Sequence, residues 1–134
     1  MNATRRAALH AALECLLPAD EDGPGAVALG AGVYIERALG AEHGGSLEAY
    51  ERGLDTLDAR ALAVHGARFA ALGSKAREEV LGDAGAFLEL LRTHAIEGCF
   101  GDPRWGGNAG GAGWAMLGYP GPREQWSEQE QRLR

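Results

Sequence analysis

The sequence predicts an all-α fold, a single small helical domain of about five helices closed by an ordered loop rich in glycine and aromatic residues. Three observations carry that expectation. Apolar residues recur at steps of three and four from Leu9 to Ala95, the period of a helix face. No stretch alternates with period two, so no strand is expected. Nine of the chain's 21 glycines crowd between His94 and Pro122 among Trp105, Trp114 and Tyr119, a density no regular helix or strand is expected to survive. At 134 residues and 14.1 kDa there is material for one hydrophobic core, which places the helical domain at 1–122 and a polar C-terminal tail at 123–134.

Thr4 suits the N-cap of a first helix over Arg5 to Leu17, where Leu9, Ala12, Leu13, Leu16 and Leu17 fall at helical spacing and Pro18 ends the pattern. Arg5-Arg6 invites a twin-arginine export reading, but His10 and Glu14 interrupt the apolar run that an export signal needs. The following ADEDGPG is turn chemistry, and its acids lack the alternating ligands of a calcium loop. A second helix is expected over Ala26 to Leu39, with Gly30 and Gly32 weakening it by about 1 kcal/mol each and marking a close neighbour. Ser46 caps the longest expected helix. There Leu47, Tyr50, Leu54, Leu57, Ala61 and Val64 form one strip, and Leu62, Phe69 and Leu72 continue on an adjacent one until Gly73. Ser74 then caps a short helix that brings Val80 and Leu81 to the core. The last expected helix begins at Ala84, turns Phe87, Leu88, Leu91 and Ala95 inward, and ends on Gly98 as its C′ glycine.

A formal net charge of -6 removes the electrostatic footprint that nucleic acid requires. Direct membrane insertion is not expected, because no window approaches the roughly 18 apolar residues of a spanning helix. Two cysteines, Cys15 and Cys99, are too few for a disulfide scaffold. Cys99 sits near a helix C-terminus, where the dipole disfavours a thiolate nucleophile. The glycine run from Gly106 to Gly111 follows no strand and lacks a lysine-serine ending, so it is not a phosphate cradle. With Ser46, Ser74 and Ser127 at caps or in the tail, no nucleophile and base can be paired.

His94 and Glu97 lie three apart, with Asp102 beyond, and could gather a metal ion. The plainer reading makes them, with Asp102, Pro103, Gly106, Gly107 and Gly113, residues that structure the loop. No catalytic, cofactor-binding or metal residue is then expected. Only 7% of the residues are aromatic, so gathering three of them in one loop points to a partner surface. Arg104, Trp105, Asn108, Trp114, Tyr119, Pro120 and, in the tail, Trp126 are the expected partner-binding residues.

The run EGCFGDPRWGGNAGGAGWAMLGYPGP resembles the C-terminal signature of the gluconate 2-dehydrogenase subunit 3 family, EG-x-x-x-DP-x-x-GGN-x-x-x-x-GW-x-x-x-G-[YFH]-PGP. The N-terminal LLPADEDGPGA is similar to the family's leucine-proline-alanine-aspartate run before a glycine, and YIERAL follows in the expected order. The resemblance implies a small, non-catalytic, helical subunit of a bacterial oxidoreductase heteromer. It accompanies a large flavin-dependent dehydrogenase of the glucose-methanol-choline class, which oxidises sugars, glycosides, polyols or sugar acids and often passes electrons to a cytochrome c subunit. FAD would reside in that partner, with no cofactor in this chain, and the small subunit would aid folding, maturation or assembly in a chaperone-like way. Many members carry a twin-arginine signal ahead of the first helix, whereas this sequence starts at the helix itself. No signal peptide or transmembrane helix is expected in the chain, which would be cytoplasmic, or periplasmic if the partner's signal carries it. Two alternatives stand beside this reading: a stand-alone metal or redox enzyme using His94, Glu97 and Asp102, and a homo-oligomeric interaction protein.

Overall fold

The structure, a computed structural model, describes residues 1–21 and 23–118, with backbone only at Trp105. The described residues form an all-α domain of six helices and no strand, with a single bridge between Asp20 and Gly23. The helices are α1 (Ala3–Leu16), α2 (Ala31–Leu39), α3 (Leu47–His65), α4 (Ser74–Gly82), α5 (Ala86–Phe100) and α6 (Ala112–Met116). None of them is long and apolar enough to cross a membrane. The expected tail, with Trp126, and Tyr119 and Pro120 before it, lie outside the described residues.

The core is a bundle of α1 to α5 centred on Leu9, Leu13, Ile35, Tyr50, Leu54, Leu57 and Leu91, all of them buried. Burying a leucine of this kind contributes roughly 1.5–3 kcal/mol, which is where most of the stability of such short helices comes from. Helix α1 is capped by the Asn2 side chain, which accepts from the Arg5 N–H at 2.8 Å, so the cap falls two residues before Thr4. Arg5 and Arg6 are cross-helix ties: Arg5 pairs with Glu51 and Asp55 on α3, and Arg6 with Glu36 on α2. Gly32 lets α2 approach α1 closely, since a Cβ there would stand 2.8 Å from His10 Nε2.

The helix boundaries correct the sequence expectation in three places, each time at a glycine. Helix α2 begins at Ala31 because Gly30 takes a left-handed conformation, φ 82°, which ends the turn from Ala26 and starts a new direction. Helix α3 stops at His65, where Gly66 is left-handed and its N–H returns to the Leu62 carbonyl; the helix does not run on toward Gly73. Phe69 still reaches the core, because buried Asp58 accepts its N–H at 3.0 Å and holds a short 3-10 turn, Phe69–Ala71. Leu47, Leu62 and Val64, which the sequence places on the buried strips, are exposed, Val64 at 72%. Ser46 and Ser74 make no capping bond; Ser46 lies in a 3-10 turn and Ser74 is the first residue of α4, which places Val80 and Leu81 in the core.

Helix α5 provides the third correction. It passes through Gly98 and ends at Phe100, with Gly101 as its cap. Gly98 is there for proximity: a Cβ would lie 3.0 Å from Ala31 Cα on α2. The glycine-rich segment is not wholly irregular either, since α6 forms inside it.

Candidate functional site

The loop after α5 is built on the ends of α2 and α5. Asp102 opens it by accepting the Arg104 N–H at 3.0 Å and pairing with the Arg104 guanidinium at 2.7 Å, which caps a 3-10 turn, Pro103–Trp105, that begins at Pro103. Gly106 then turns left-handed, φ 101°. Two backbone bonds fasten the loop to the bundle: the Asn108 N–H donates to the Gly98 carbonyl at 2.6 Å, and the Ala109 N–H to the Leu29 carbonyl at 2.9 Å. Where the loop crosses the end of α5, it needs bare backbone. A Cβ on Gly107 would overlap the Gly98 carbonyl, and one on Gly113 the Cys99 carbonyl.

Asn108 closes the loop from inside. It is fully buried, its φ of 49° is the one positive value among described non-glycine residues, and its side chain bridges three backbone groups. Its Nδ2 donates to the Gly101 carbonyl at 2.7 Å, while Oδ1 accepts the N–H groups of Gly113 at 2.6 Å and Trp114 at 3.2 Å, at the start of α6. The partner-binding role expected for Asn108 is thus corrected: a buried side chain with these bonds structures the loop. Trp114 is half-buried and donates its indole N–H to the Phe100 carbonyl at 2.7 Å. Arg104 is exposed, as is Leu117 at the C-terminal end of α6, while the partly exposed Met116 side chain lies against Gly23.

His94 and Glu97 do not fasten the loop backbone, as the sequence suggested; they form a polar cluster with groups from other elements. Tyr50 on α3 and His94 Nδ1 lie 2.8 Å apart in a hydrogen bond. Tyr34 on α2 donates to Glu97 Oε2 at 2.8 Å, and His43 Nε2, from the connection between α2 and α3, bonds the same oxygen at 2.9 Å. The rings of His43 and His94 stack with centroids 4.2 Å apart. Burial, and next the neighbouring His43, lower the His94 pKa from its ordinary value, which favours the neutral ring. Burial would raise Glu97, but hydrogen bonds from His43 and Tyr34 with the nearby histidine charges outweigh it and hold the carboxyl below its usual range. Tyr34 is pushed up to about 12, by burial first and its bond to Glu97 second.

This geometry redraws the metal alternative. His43, His94 and Glu97 bring ligand atoms within 4.8 Å of one another, whereas Asp102 is engaged with Arg104 at the loop entrance. Nothing in the AEHGG context of His43 marks it, since its partner is more than fifty positions away in the chain. Cys99 has its thiol pushed up to about 11 by burial, in keeping with the inert reading.

The family model described as Gluconate 2-dehydrogenase subunit 3 matches residues 3–121. The chain belongs to that family. A search of the curated proteins and a search of the solved structures each found no match. Within this subunit 3 chain, the described residues of the C-terminal signature divide into two kinds. Gly98, Gly107 and Gly113 are contact points between backbones, and Asp102, Pro103, Gly106 and Asn108 set the turns between them. Glu97 of the same signature faces the other way, into the histidine and tyrosine cluster.

Proposed function

We propose that this chain is the non-catalytic small subunit of an oxidoreductase complex, which binds and stabilises a large FAD-dependent dehydrogenase of the glucose-methanol-choline class acting on sugars, glycosides, polyols or sugar acids. The family match over residues 3–121 supports a place beside a dehydrogenase. The observation that carries the docking role is the construction of the loop. Asn108 and the contact glycines hold it against α2 and α5, while Arg104 and Leu117 remain exposed to solvent. A preorganised loop loses little entropy on binding, so its exposed apolar side chains can be turned into affinity. Tyr119, Pro120 and Trp126 are assigned to the same partner surface, and Trp105 and Trp114 to its anchoring.

Co-expression of the chain with its dehydrogenase, followed by pull-down, tests this. Leu117→Asp places a charge on a side chain that is 64% exposed, so the melting temperature of the isolated chain should hold while recovery of the flavoprotein drops. Trp114→Ala should weaken assembly by roughly 2 kcal/mol or more with helix content retained. Unchanged recovery with both variants would remove the loop from the interface.

A further inference from the structure

We infer that His43, His94 and Glu97 form a site for one divalent transition-metal ion of the zinc and cobalt class, which pins the connection between α2 and α3 onto α5. Two imidazoles and one carboxylate are the ligand set that such ions prefer, while magnesium and calcium take oxygen donors. The three side chains come from two elements and already place their ligand atoms within 4.8 Å of one another. His94 and Glu97, three apart on α5, share a helix face, and His43 closes over them from the connection.

The surroundings fit a ligand shell. Tyr50 bonds His94 and Tyr34 bonds Glu97, each at 2.8 Å, the kind of outer hydrogen bond that orients metal ligands. Both described bonds to the Glu97 carboxylate fall on Oε2, which leaves Oε1 for an ion. The two rings lie within 13° of parallel, so ring nitrogens directed at one ion require the His43 ring to turn out of the stack. His43 is only partly buried and lies outside any α-helix, and turning it exchanges its bond to Glu97 for a bond from both groups to the ion. A water molecule would complete the tetrahedral set.

The inference stands apart from the dehydrogenase partner, since the site lies wholly within this chain. Chelator-stripped protein titrated with zinc by calorimetry, and with cobalt by visible absorption, provides the test. The expected result is one ion per chain, with affinity falling by more than the roughly 10–100-fold that loss of an outer-shell partner costs in His43→Ala and Glu97→Gln, and holding in His65→Ala. Circular dichroism shows whether each variant is folded, and His43→Ala removes a partly exposed side chain outside any α-helix, so it keeps the test decisive if Glu97→Gln unfolds. Absence of binding by the folded wild-type chain, or binding that folded His43→Ala leaves intact, would overturn the site.

Discussion

Asn108 shows how much one side chain can decide. Removing its amide leaves the Gly113 N–H and the Gly101 carbonyl without their partner in a closed loop, and weakens the start of α6. Each buried polar group left unpaired costs roughly 1–3 kcal/mol, so Asn108→Ala should lower unfolding free energy by about 3 kcal/mol in chemical denaturation. Asn108→Asp retains the acceptor for Gly113 but sets an oxygen against the Gly101 carbonyl, and should fall between the two. A cost under about 0.5 kcal/mol for Asn108→Ala would show that the loop does not depend on this residue. That an asparagine between glycines sits in a turn was legible from its tolerance of left-handed backbone. Its burial was not, because the three backbone groups it bridges are invisible in the letters around it. His43 was missed for the related reason that a tertiary partner leaves no local signature, whereas His94 and Glu97 were visible as a pair on one helix face.

At the scale of elements, period and glycine carried unequal information. The stripes that bury Leu9 and Leu13, Tyr50, Leu54 and Leu57, and Val80 and Leu81 were readable directly, because helical spacing is a property of neighbours in sequence. The ends were misplaced because one letter serves two purposes. Gly66 ends α3 by turning left-handed, while Gly98 sits inside α5 to let other backbones approach. Gly113 belongs to the second kind, and a methyl group there would push the Cys99 carbonyl and α6 apart. Gly113→Ala should therefore speed hydrogen exchange across residues 106–116 while leaving the amides of α1 and α3 protected. Equal loss of protection in α1 would mean that the loop and the bundle unfold as one unit.

For the molecule as a whole, fold class followed from composition and periodicity, but function did not. The acidic balance and the aromatic loop pointed to a protein partner, and the long signature from Glu97 to Pro122 supplied the family, which the match over residues 3–121 bears out. Side-chain chemistry alone would have stopped at a helical protein with a docking loop, because the described residues form a platform and a polar cluster whose chemistry does not by itself specify a substrate. The central claim is that this platform exists to hold a flavoprotein. Its most direct test is purification of the tagged full-length chain from its native host, with mass identification of the bound protein and an absorption spectrum of the eluate. The account predicts a large dehydrogenase in fixed stoichiometry with the absorption bands of a flavin. A colourless chain, alone or in multiples of itself, would contradict it.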